Sequence, residues 1–242
     1  MARAIARGWG DPVLCSDGGS GRAAALVAEL GGEALTNAQV AERADLVVLC
    51  HKPYQLGPVA EEIRETAKAV ASVLGATSND DLQSAYPGVP VFRLMPNTPV
   101  EVRRGIVCYV RGRVDVDAAL EAQVLELFDR LGKVVRLPES QLPPAAAVMS
   151  VGPAYVALVA EAQVDAAVRH GLPAPLASEL VAETLAGTAA LLAARDYDTL
   201  AVRREVTSPG GMTARGLRVL ERAGLRAAFS DAAAAVVATG GK

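Results

Sequence analysis

Cysteine and histidine are scarce in this chain: three and two, respectively, in 242 residues. Cys15, Cys50 and Cys108 are odd in number and far apart, which excludes a disulfide framework and suits a reducing, cytoplasmic compartment. Cys15 and Cys50 lie in apolar, strand-like runs and read as buried thiols. His51 and His170 form no HxxxH pair and CxxC is absent, so no transition-metal site is expected. A basic excess is lacking too. The net charge is −3 and the pI near 5.5, with no basic stripe, which argues against a nucleic-acid partner. The N-terminus has no apolar segment of signal-peptide length. The most apolar stretch, residues 143–160, is broken by Ser150, Gly152 and Pro153 and followed by Glu161 and Asp165. It reads as a buried helix at a subunit contact, not as a membrane span.

Hydrophobic residues make up 51% of the chain and charged residues 21%, a globular balance, and the length suits one large domain or two small ones. In the first half, apolar runs alternate with helix-forming segments. Strands are expected over residues 12–16, 45–50, 69–74, 89–95, 105–111 and 133–137. Helices are expected over 22–30, 37–43, 59–66, 80–85 with Asn79 as cap, and 115–131. The continuous Leu/Val run after Asp45 is the pattern of a parallel strand buried on both faces. Such alternation specifies an α/β, doubly wound parallel sheet of the Rossmann type. From Pro143 the strand signals vanish, and helices run to an alanine-rich end over residues 227–238. Two domains follow: residues 1–140, α/β, and residues 141–242, all-α.

The stretch Val206-Thr207-Ser208-Pro209-Gly210-Gly211-Met212-Thr213 lies between a helix ending near Ala194 and one running from about Ala214. Two glycines and a proline give a turn whose backbone can approach a ligand closely. Met212 and Thr213 open the next helix, whose free N–H groups and positive dipole end suit a carboxylate. Ser208 and Thr213 add hydroxyls, and no cationic side chain is expected inside the cradle. The plain alternative is an interhelical turn with Ser and Thr as caps. Glu161 and Asp165, four apart on one helix face, read as a surface or capping feature rather than an acid–base pair.

In order along the chain come Val151-Gly152-Pro153-Ala154-Tyr155, Asp165-Ala166-Ala167-Val168-Arg169-His170-Gly171-Leu172-Pro173, the Ser-Pro-Gly-Gly turn, and Gly216-Leu217-Arg218-Val219-Leu220-Glu221. That series resembles the C-terminal half of the pyrroline-5-carboxylate reductase family. The runs Ala44-Asp45-Leu46-Val47-Val48-Leu49-Cys50-His51-Lys52-Pro53 and Arg93-Leu94-Met95-Pro96-Asn97-Thr98-Pro99 resemble the family's two cofactor-side loops. The resemblance implies reduction of 1-pyrroline-5-carboxylate to L-proline with NADP or NAD as cofactor. It implies a substrate carboxylate held by the N–H groups of Gly210, Gly211 and Met212 with help from Ser208, and a hydrogen bond from Thr213 to the ring nitrogen. Asp196 falls where the family has an acidic residue near its active site. Met212 departs from the threonine or alanine common at its position, a change a backbone contact survives. On the cofactor side the resemblance points to Ser16, Asp17, Ser20 and Arg22 at the adenosine ribose, and to His51, Lys52, Pro53, Met95, Pro96 and Asn97 at the nicotinamide end. Asp17-Gly18 stands where family members often carry Asn-Arg or Ser-Arg, which weakens the case for NADP. In the family the helical domain pairs with that of a second subunit, and the active site lies at their shared boundary. A homodimer or higher homo-oligomer is therefore expected.

The resemblance also implies that residues 1–8 form the helix that follows the glycine-rich phosphate turn, so that the first strand and its G-x-G-x-x-G/A turn are absent. The glycines from Gly18 to Gly21 follow the second strand instead. Two readings of this stay open: a start at an internal methionine, or a relative with weak or no cofactor binding. The rival functions are a non-catalytic protein that binds a proline-like ligand, and another imine or β-hydroxyacid reductase of the same build. Against the hydroxyacid enzymes stands the want of a clear catalytic lysine motif.

Overall fold

The computed structural model describes residues 1–112 and 116–239, so Asp115, the expected start of one helix, lies outside the described residues. The chain divides into two compact units: Met1–Val151 with the chain from Val236 on, and Gly152–Ala235.

In the first unit, α1 (Ala2–Trp9), β1 (Val13–Cys15), α2 (Arg22–Leu30), β2 (Gly32–Ala34), α3 (Asn37–Arg43), β3 (Val47–Leu49) and α4 (Leu56–Ile63) come first. β4 (Val70–Ser72), α5 (Asn79–Ala85), β5 (Val91–Pro96), β6 (Gly105–Val110), α6 (Ala118–Asp129), β7 (Gly132–Arg136) and α7 (Leu142–Met149) follow. β1 and β2 form one parallel pair; the other strands form a five-stranded sheet in the order β3-β4-β5-β6-β7. Among the described residues β1 pairs only with β2, and β3 only with β4, so the sheet is in two pieces.

Alternation of side chains along each strand builds a layer on either face. Ala71, Phe92 and Leu94 pack with Val124, Leu125 and Phe128 of α6 and Ile5 of α1. Their neighbours Val70 and Val91 pack with Ala60 and Ile63 of α4 and Leu82 and Tyr86 of the α5 region. This is the doubly wound arrangement expected, with four differences. β6 runs antiparallel to β5, with Met95 opposite Cys108, so the sheet is mixed. Residues 97–104 are too few for a crossover helix, and only an antiparallel return fits so short a link. β2 has no apolar pattern, and all three of its residues are exposed, which hid it in the sequence. Ser78, not Asn79, caps α5: its hydroxyl accepts from Asp81 N at 3.0 Å. Cys15 and Cys50, expected to be buried, are both only half-buried, whereas Cys108 is buried.

α7 stays with the first unit because Leu142 and Met149 pack on Cys108 and Val110. The second unit holds α8 (Gly152–Arg169), α9 (Ala174–Ala193), α10 (Thr199–Glu205), α11 (Met212–Arg222) and most of α12 (Leu225–Thr239). The apolar stretch over residues 143–160 is thus split between α7 and α8. α8 has no buried residue in the single chain; Val156 and Leu158 are 53% and 64% exposed. Of α9 only Ala177 is buried. By length and composition Glu139–Arg169 and Ala174–Ala193 could each cross a membrane. α10 is a further departure, since a connection was expected there. Asp198 caps it by accepting from Leu200 N and Ala201 N, both at 2.9 Å.

Candidate active site

In an open α/β sheet, ligands bind beyond the carboxyl ends of the strands. The loop after β1 is organised by Asp17. Its Oδ1 accepts from Gly19 N at 2.8 Å and Ser20 N at 3.0 Å, and its Oδ2 from Ala23 N at 2.7 Å and Ser20 Oγ at 3.2 Å. These bonds, led by that from Ala23, hold the carboxyl below the usual aspartate range. Asp17 therefore supplies its own anion to the start of α2. Ser16 Oγ lies 2.5 Å from Asn37 Oδ1, and Asn37 Nδ2 donates to Glu62 at 2.9 Å, a chain of contacts the sequence did not reveal. Ser20 and Arg22 are exposed beside the loop.

After β3, His51 Nδ1 stands 2.9 Å from the Lys52 carbonyl oxygen. A carbonyl only accepts, so Nδ1 carries a proton, and in the neutral tautomer Nε2 is the acceptor. That Nε2 is buried and has no hydrogen-bond partner among the described residues. Lys52 is exposed, and Pro53 opens a short 3-10 turn with Tyr54, which is 81% exposed. Met95 and Pro96 end β5. Asn97, only 8% exposed, spends its side-chain amide inside the protein: Nδ2 donates to Met149 O at 3.0 Å and Oδ1 accepts from Ile106 N at 2.9 Å. Its backbone is engaged as well: Asn97 N donates to Ile106 O at 3.1 Å and its carbonyl accepts from Val100 N at 3.2 Å. A nicotinamide dinucleotide fits these loops in two respects: the orphaned Nε2 of His51 suits a hydroxyl or amide donor, and exposed Lys52 suits a phosphate.

The turn before α11 is built within the second unit. Gly210 takes the left-handed conformation at φ 68°, which favours glycine there. Gly211 has φ −67°; it is glycine for want of room, since a Cβ would overlap Ser208 Oγ. Gly211 N donates to Ser208 O at 3.1 Å, so one of the three expected carboxylate donors is committed inside the turn. Arg215 Nε donates to Gly210 O at 3.2 Å, which brings a cation to a cradle expected to have none. No side chain caps α11, so its first N–H groups, beginning with Met212 and Thr213, face outward with the Ser208 and Thr213 hydroxyls nearby in sequence. Met212 is 91% exposed. Asp196 sits at φ 51° in the sharp link between α9 and α10, and among the described residues no hydrogen bond or ion pair joins it to the turn.

Residues 1–76 match the family "NADP oxidoreductase coenzyme F420-dependent", and residues 139–241 match "Pyrroline-5-carboxylate reductase dimerisation". The pyrroline-5-carboxylate reductase of Corynebacterium melassecola is 36% identical over 206 residues, covering 82% of this chain and 76% of that protein. That of Mycobacterium tuberculosis is 36% identical over 222 residues, covering 81% and 75%. The solved pyrroline-5-carboxylate reductase of Coxiella burnetii superposes with a TM-score of 0.87 at 29% identity, over 99% of this chain and 93% of that one. The Streptococcus pyogenes enzyme gives 0.89 at 26%, over 99% and 94%. An open α/β sheet with ligand-type loops at its carboxyl edge, joined in one chain to a helical unit, is the build of a nicotinamide-dependent oxidoreductase. Within that class, the chain belongs to the pyrroline-5-carboxylate reductase family, and its helical part is the family's dimerisation domain, through which copies of the chain associate.

Proposed function

We propose that this chain reduces 1-pyrroline-5-carboxylate to L-proline with NAD(P)H, the last step of proline biosynthesis, in the cytoplasm. Its first 140 residues hold the cofactor, and residues 141–242 hold the substrate and the second subunit. When bound, a reduced nicotinamide supplies a hydride. The hydride adds to C5 of the cyclic imine protonated at nitrogen, the C=N π pair moves to nitrogen, and the product amine keeps that proton. The chain's own work is to bind and orient. The uncapped start of α11 carries this reading. Met212 N and Thr213 N, with Gly210 N and Ser208 Oγ, hold the substrate carboxylate at the positive end of an eleven-residue helix. The Thr213 hydroxyl bonds the ring nitrogen and steadies the charge that changes there. Arg215, tied to the turn, adds positive potential toward the carboxylate. Asp196, in the link between α9 and α10, is assigned to the substrate side as its acidic residue. On the cofactor side, His51 Nε2 accepts from the nicotinamide half, Lys52 meets a phosphate, and the backbone of Met95, Pro96 and Asn97 borders the nicotinamide. Ser16, Asp17, Ser20 and Arg22 border the adenosine ribose. The apolar faces of α8 and α9 are covered by a second copy of the chain, in a homodimer or a multiple of one; no membrane or nucleic acid is invoked. The test is oxidation of NADH or NADPH that depends on added 1-pyrroline-5-carboxylate and yields L-proline. Folded protein that binds nucleotide and gives no proline rules the reading out.

A further inference from the structure

β5 grips α7 at both ends. Arg93 on β5, 9% exposed, makes an ion pair with Glu139 in the 3-10 turn just before α7. Asn97, just past β5, donates to the carbonyl of Met149, the last residue of α7. Carbonyls in the last turn of a helix have no partner within the helix, so this bond satisfies a group that burial would otherwise penalise. The other half of the Asn97 amide solves a second problem. Asn97 N bonds Ile106 O at 3.1 Å, but its own carbonyl is turned to Val100 N at 3.2 Å to begin the 3-10 turn over Thr98–Val102. Oδ1 stands in for that carbonyl at Ile106 N. The chain can therefore leave the sheet sharply while the ladder stays satisfied. Below this bridge Met149, Met95 and Ile106 pack in one apolar cluster.

We propose that Asn97 is a positioning residue for hydride transfer: it fixes the cofactor-edge loop 95–99 against the last turn of α7, three residues before the helical unit begins. The proposal rests on the reductase reading above. Its backbone borders the nicotinamide, and its side chain sets where that backbone lies. Loosening the bond leaves the substrate cradle on α11 unaltered and degrades the approach of the hydride donor.

Asn97→Asp keeps an acceptor for Ile106 N and deletes the donor to Met149 O; Asn97→Ser shortens the side chain without adding charge. In the full chain, both variants should lower kcat about tenfold or more, with KM for the imine within about twofold of wild type. The primary isotope effect from 4-deuterated NAD(P)H should rise as hydride transfer becomes more rate-limiting. Amide exchange should quicken over residues 95–99 and 147–151 together, while residues 208–214 are unchanged. Wild-type kcat and isotope effect in either folded variant would overturn the proposal, as would quickened exchange confined to one of the two segments. If the wild type turns over no imine, the reductase reading fails, and the exchange measurement still decides whether the bridge holds loop and helix together.

Discussion

At the residue scale, Thr213 and Asp17 carry the sharpest consequences. Thr213→Ala should reduce kcat/KM for the imine by about 1–3 kcal/mol in activation free energy, the cost of one positioned hydrogen bond, with nucleotide affinity unchanged. Steady-state kinetics beside a nucleotide titration check this. Asp17 fills the start of α2 with its own carboxylate and sets a negative charge beside the expected ribose. Asp17→Ser should shift the ratio of NADPH to NADH affinity toward NADPH by about tenfold, or ~1.4 kcal/mol. Asp17 also gives a pH dependence. Its folded pKa is depressed, so its stabilisation is complete above the unfolded value of about 4 and is lost as pH falls through the folded value. Amide protection at Gly19, Ser20 and Ala23 should fade in that acid window, a loss Asp17→Ser should show at neutral pH. Asp17 was legible as a charge at the right place, because residue type and loop position are in the sequence. Its four internal donors were not, since they depend on how Gly18 to Gly21 turn. The Asn97 bridge was illegible for the same reason, being made to backbone groups whose positions only the fold supplies, and so was the burial of His51 Nε2.

At the element scale, the turn before α11 was readable and its detail was not. Gly-Gly announced a tight turn, but which glycine takes positive φ, and that Gly211 is small to make room for Ser208, are matters of packing. Gly211→Val should abolish binding of a proline analogue and leave the helical content intact by circular dichroism, because the side chain displaces Ser208 and crowds the cradle. Retained analogue affinity would contradict this. The helices of the second unit read clearly as helices. Their burial did not, because α8 and α9 present Leu158 and Leu180, 64% and 50% exposed, to surroundings the single chain lacks. A dimerisation domain accounts for that exposure. Each such leucine buried between subunits contributes about 1.5–3 kcal/mol. Leu158→Glu with Leu180→Glu should therefore give monomers in sedimentation velocity at concentrations where the wild type is a dimer or larger; an unchanged mass would show that another surface holds the subunits. Strand direction was half legible: apolar runs marked β5 and β6, but the shortness of the link that forces them antiparallel carried the information about direction.

At the scale of the whole molecule, alternation of strands and helices, then helices alone, gave the order of the two units, because burial on both sheet faces leaves a strong apolar signal. The division of the strands into two pieces, β1-β2 and the mixed sheet β3 to β7, depends on pairing, which composition does not encode. The proposed function joins properties drawn from different parts of the chain: carboxyl-edge loops with an unpartnered ring nitrogen at His51, and a helix start at Met212 with no side-chain cap among the described residues. Its central claim is that hydride passes to C5 of 1-pyrroline-5-carboxylate. The most direct measurement supplies NADH and NADPH deuterated at the transferred position of C4 and analyses the product by mass spectrometry. The account predicts L-proline carrying one deuterium at C5, formed in proportion to the nucleotide oxidised and lost together with Thr213. Folded, nucleotide-binding protein that forms no proline, or proline without the label, would contradict it.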